Sequence, residues 1–134
     1  MNIKTIENDI INQLQNNIID LKTEGYPENP AEYKLIHPKG AILVHFKGSL
    51  YDKPDENGFI QQTLNLDFGL TLMVKKLRDK SGAYAYIAEI ISVLTGYTPT
   101  SCGKMYPVNT EFLKEDGGIW KYSLDFTVPA ENFE

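Results

Sequence analysis

An α+β fold, with two helices packed on one face of a mostly antiparallel or mixed sheet of four to five strands, is what this sequence predicts. Three observations carry that reading. Apolar residues recur at helical spacing over the first twenty positions, and again after Ser81-Gly82. Between those two segments, Thr63 to Val74 alternates apolar and polar residues without a miss.

Ile3, Ile6, Ile10, Leu14, Ile18 and Leu21 form the first helical stripe, widened by Ile11 and Ile19. Asn8, Asn12, Gln15, Asn16 and Asp20 fill the other side. Asn2 or Thr5 suits the N-cap, and Gly25 suits the stop. Pro27, Pro30 and Pro38 then forbid a regular element, and Tyr26 and Tyr33 are expected to pin this stretch to the body. A short strand over residues 21–26 is a further candidate.

Gly40 to Lys47 reads as a strand, with Ile42, Val44 and Phe46 on one side and Leu43, His45 and Lys47 on the other. Asp52, Pro54, Asp55, Glu56 and Asn57 make Gly48 to Gly58 a polar, projecting loop. In the strand that follows, Leu64, Leu66, Phe68, Leu70, Leu72 and Val74 define a buried face. Asn65, Asp67, Gly69, Thr71 and Met73 define a face that is wetter or covered by a partner. The second helix is expected to end near Leu94, with Gly96 beyond it and a stripe of Tyr84, Ile87, Ile91 and Leu94.

Two strands follow, Lys104 to Leu113 and Trp120 to Val128, joined by a turn at Asp116-Gly117-Gly118. Tyr106, Val108, Thr110 and Phe112 are expected on one face of the former. Pro129 to Glu134 is expected to fray. The length of 134 residues suits one domain, 1–134.

Thirteen basic against eighteen acidic residues leave a net charge of −5, so no global field draws the chain to nucleic acid. Lys75, Lys76, Arg78 and Lys80 form only a short cluster, read as a solvated strand end. One cysteine excludes an internal disulfide and fits a reducing cytoplasm. No apolar run approaches the ~20 residues that span a bilayer, and no signal-peptide core is read at the N-terminus.

The chemistry-bearing residues are sparse. His37 precedes a proline, His45 lies on a strand, and Cys102 lacks a Cys-x-x-Cys partner for zinc. An enzyme would need these three to converge in one pocket. Asp52, Asp55, Glu56 and Asn57 offer hard oxygen ligands, but their spacing fits no EF-hand and Pro54 interrupts it. Glycine-rich phosphate loops are lacking. Eight tyrosines invite a stacking surface, but most aromatics fall on core-facing phases. No catalytic residue, metal or cofactor is expected.

Several blocks together resemble a known family. They are Ile6-Glu7-Asn8-Asp9-Ile10-Ile11, Tyr26-Pro27-Glu28-Asn29-Pro30 and His37-Pro38-Lys39-Gly40-Ala41-Ile42-Leu43-Val44. Gly82-Ala83-Tyr84, Leu94-Thr95-Gly96-Tyr97 and Glu115-Asp116-Gly117-Gly118-Ile119-Trp120-Lys121-Tyr122 complete the set. In this order they resemble Mu-like prophage proteins encoded between head and tail-sheath genes. That family is similar to the tail terminators of long-tailed phages, phage lambda's included.

The resemblance implies an α/β sandwich and a homo-hexameric ring that caps the tail tube and meets the head connector or sheath. It implies assembly in the bacterial host cytoplasm, a place in the virion or tail particle, and no specific nucleic acid or membrane partner. Another head-tail joining or tail-completion role is the alternative, and a small enzyme using His45 and Cys102 a further one. A ring needs head-to-tail contacts that close. The residues expected to supply them, or the tube contact, are His45, Lys47, Asp52, Asp55, Glu56, Asn65, Asp67, Thr71 and Met73.

Overall fold

The computed structural model describes residues 2–35, 37–54 and 60–133. Helix α1 spans Ile3–Asn17, and the Asn2 side chain caps it by accepting from the Thr5 amide at 3.0 Å. The stripe Ile6, Ile10 and Leu14 is buried as the spacing predicts. The helix stops earlier than the apolar period suggests. Ile18 leaves helical geometry at φ −121°, and its side chain still reaches the core. The chain then enters β1, Lys22–Gly25, so the Gly25 stop is replaced by a strand.

A single 3₁₀ turn, Pro30–Glu32, interrupts the proline-rich bridge before β2, Gly40–Tyr51. β2 is longer than its expected end at Lys47. The register slips between Phe46 and Gly48, and past this bulge pairing resumes to Tyr51. The polar loop therefore begins at Asp52. β3 spans Gln61–Val74, and α2 spans Ala83–Leu94, with Gly96 beyond it at φ 84°.

The sequence places the α2 stripe about one residue out of phase. Ala83, Tyr86, Ile90 and Leu94 face the sheet, Ile87 and Ile91 flank it, and Tyr84 is exposed. Burying the small Ala83 lets the helix start close to the sheet, which turns Tyr84 outward.

β4, Tyr106–Asp116, and β5, Ile119–Phe133, form a hairpin across Gly117-Gly118. Their φ values of 59° and 85° suit the type I′ turn that two-residue hairpins favour. β5 does not end at Val128. It continues through Pro129 and pairs with β3 as far as Gln61↔Phe133. The proline is tolerated because its nitrogen faces outward with its carbonyl, which accepts from Gly103 N at 2.8 Å, on the side where β4 has not yet begun and no ladder bond needs a donor.

The sheet order is β1-β2-β3-β5-β4. Only β1–β2 is parallel, so the sheet is mixed. Both helices lie on one face. They run antiparallel, because Gln13 donates to Val93 O at 3.2 Å while Tyr86 at the start of α2 donates to Asp20 just past α1. Between helices and sheet lies the main core, with Ile42, Val44, Leu66, Phe68, Leu70, Leu72, Leu124 and Phe126 all fully buried. A smaller apolar cluster occupies the second face. There Ala41, Leu43 and Met73 are covered by Tyr33, Leu35 and Ile119. The proline-rich bridge thus lids one corner of the sheet and leaves the rest of that face to polar side chains.

Candidate functional site

The three groups an enzyme would need do not meet. His37 sits just before β2, where its Nδ1 accepts from the amides of Lys39 and Gly40 at 3.2 and 3.3 Å. His45 lies on the second face, its ring 5.1 Å from that of Tyr26. Cys102 packs against the main core on the helix side. Burial, with the Asp9 carboxylate, pushes its thiol pKa up, opposite to what a nucleophile requires. Among the described residues no cluster of His, Cys, Asp or Glu could hold a metal, and no helix is long and apolar enough to cross a membrane.

On the second face the alternation of the strands builds a polar lattice. Lys47 Nζ lies 3.1 Å from Asp125 Oδ1, and Thr127 Oγ1 donates to Asp67 Oδ1 at 3.0 Å. Gly69 lies between these pairs. A Cβ there would come within 2.9 Å of both His45 Cε1 and Lys47 Cδ, so the glycine makes room for two long side chains to lie flat. His45 is lowered in pKa, first by burial and then by the Lys47 charge, with Asp125 opposing. Its Nδ1 is buried without a hydrogen-bond partner.

Of the residues singled out from the sequence, His45, Lys47, Asn65, Asp67 and Thr71 share this face. Asp52 lies at the far end of β2, where its carboxylate accepts from the Thr63 hydroxyl. Asp55 and Glu56 lie outside the described residues. Met73 is not at the surface. It is 4% exposed beneath Tyr33 and Leu35 of the same chain, because the proline-rich bridge occupies the place a partner was expected to take.

One concavity, about 650 Å³, is an open groove between Asp52 and Thr63 on one side and Ser101–Gly103 on the other. A second, about 320 Å³, lies between the proline-rich bridge and the β4–β5 hairpin, with Tyr26, Tyr33, Lys114 and Lys121 on its walls. Neither contains a histidine, and neither encloses a convergent set of catalytic groups.

The exposed chemistry of this chain lies elsewhere, along β4. Every β4 residue except Pro107 is exposed. Tyr106, Val108, Phe112 and Leu113 are 44%, 55%, 49% and 49% accessible. The sequence alternation puts Tyr106, Val108, Thr110 and Phe112 on one face of this strand. Bulges at Val108 and Leu113 break that alternation, so Tyr106 sits opposite Thr127 on the second face while Phe112 sits opposite Tyr122 on the helix face. Phe112 packs only on its neighbours, 5.5 Å from the Tyr122 ring and 6.2 Å from that of Trp120. Tyr51 at the end of β2 is exposed as well, and so are Tyr26 in the bridge and Tyr84 on α2. The signal that could have marked β4 is the interleaving of Glu111, Lys114, Glu115 and Asp116 among its apolar residues.

Fold and surface together define a two-layer α+β protein whose prominent exposed feature is a sheet edge. The chain belongs to the Gp37 protein family, which it matches over residues 10–134. No curated protein matches it. Its fold is similar to that of a chain in the solved structure described as "Virion of native gene transfer agent (GTA) particle". That likeness has a TM-score of 0.61 at 11% identity and covers 96% of each chain.

Proposed function

We propose that this chain is a structural, non-catalytic protein of a phage or phage-derived particle, and within that class a ring-forming tail terminator of the Mu-like kind. It caps the tail tube, stops its growth, and offers its other side to the head connector or sheath. Assembly takes place in the bacterial host cytoplasm, and the finished ring stays in the tail. The observation that carries this reading is the likeness over 96% of both chains to a component of a virion particle. Membership of the Gp37 family is consistent with it.

The surface chemistry agrees with an assembly role. Catalytic groups are scattered, whereas exposed apolar side chains line β4, whose outer side pairs with no described strand. A net charge of −5 also suits a channel through which DNA slides without sticking, provided acidic groups face the lumen.

The test is electron microscopy of polymerising tube protein with and without this chain. Capped tubes of arrested length, each with a ring at one end, are expected. Tubes that grow unchanged and carry no ring would overturn termination and favour another head-tail joining role.

A further inference from the structure

Edge strands expose a row of backbone N–H and C=O groups that seek another strand. Monomeric proteins blunt such edges with charge, proline or bulges. β4 uses some of these devices, with Pro107, Lys114 and its two bulges. Yet the side chains exposed along it at positions 108, 112 and 113 are apolar, and the run Asn109–Phe112 between the bulges pairs regularly with β5.

A second open edge lies on the opposite side of the same sheet. β1 covers β2 only along Ala41–Val44, and Tyr26 N donates to Val44 O just beyond. From His45 to Tyr51 no described strand pairs with the outer side of β2. This reach ends in Leu50 and Tyr51, 73% and 54% exposed. It carries one lysine and no acid, whereas β4 carries three acids and one lysine. The two edges are therefore alike in apolar character, and the β2 reach, its one lysine paired with Asp125 of the same chain, brings no acid against the acidic β4 edge.

We propose that the outer edge of β4 pairs with the uncovered reach of β2, His45–Tyr51, of a second copy of this chain. The contact is heterologous, since each copy gives one edge and receives at the other. Repeated, it carries one sheet from subunit to subunit and closes into a ring. The inference rests on the ring reading above and names the surfaces that build the ring.

The experiment uses sedimentation velocity of the full chain in a dilution series up to about 1 mM, a range chosen to reveal even weak association. Val108→Glu with Leu113→Glu blocks one edge, and Leu50→Glu blocks the other. All three side chains are exposed, and circular dichroism checks that the folds persist. Each blocked protein alone is expected to associate at least about tenfold more weakly than wild type, the effect of one charge forced into a dry contact. Mixed one to one, they are expected to form a heterodimer that grows no further, because one intact edge of each kind remains.

A wild-type ring that survives both sets of substitutions overturns the edge pairing and leaves the ring reading standing. A Leu50→Glu protein that still dimerises by itself also overturns it, in favour of β4 pairing with β4. A wild-type chain that stays monomeric throughout the series overturns the edge pairing outright. If it also forms no ring on tube protein, the ring reading falls as well.

Discussion

β3 runs through the middle of the sheet and β4 along its rim, and the two use the same two-residue repeat in different ways. In β3 the apolar phase, Leu64 to Val74, is buried without exception under the helices. Its other phase is held by the polar lattice and, at Met73, by the proline-rich bridge. In β4 the apolar residues have neighbours on one strand only and remain about half exposed. Alternation therefore states that a strand has two unlike faces. What covers each face is decided by where the strand lies in the sheet.

The comparison breaks most sharply under truncation. Phe68→Ala removes a ring that is 0% exposed and packs edge-on against Phe46 at 5.6 Å. It should cost about 3–5 kcal/mol. Phe112→Ala should cost about 1 kcal/mol or less in the isolated subunit, because its ring is already half in water. Urea denaturation of the two variants at equal protein concentration checks both. Equal losses would mean that β4 is core after all.

The interior also differs from the rim in its titrating groups. Tyr86 is 1% exposed and donates to Asp20, and burial followed by that hydrogen bond raises its phenol pKa far above 10. The unfolded phenol ionises near 10 while the folded one does not, so stability is full below about pH 10 and falls as pH rises beyond it. Tyr86→Phe should lose about 1 kcal/mol at neutral pH and flatten that alkaline decline. Denaturation midpoints from pH 8 to 11, as a range about the tyrosine reference value, read the effect. An unchanged slope would show that Tyr86 is not the group responsible.

How much of this was legible follows from the same contrast. The main core, both helices and the glycine hairpin follow from periodicity and turn chemistry, since those signals are local. The α2 phase, the continuation of β5 past Pro129 and the burial of Met73 depend on which neighbour lies alongside. No spacing in one segment encodes that. Of the expected interaction residues, the five on the second face were found together because strand alternation fixes their side. The β4 edge was missed because Tyr106, Val108 and Phe112 have the composition of a core strand, and only bulges and a peripheral position turn them outward.

A smaller effect sharpens the account of the second face. His45 has a lowered pKa, with burial the first cause. Its contribution is therefore present above the unfolded histidine value near 6.5 and lost as pH falls through the lower folded value. His45→Gln should remove a modest part of the destabilisation expected on acidification below about pH 6.5. Proton titration of the His45 ring by NMR gives the direct check, and a value above 6.5 would contradict the burial described for it.

The central claim is that this chain works as a repeated subunit of a closed assembly. Its most direct test is the solution mass of the full chain by light scattering, alone and with tube protein. A single species of about six copies, free or on tube ends, is the predicted result for a closed ring. A strict monomer under both conditions would contradict it.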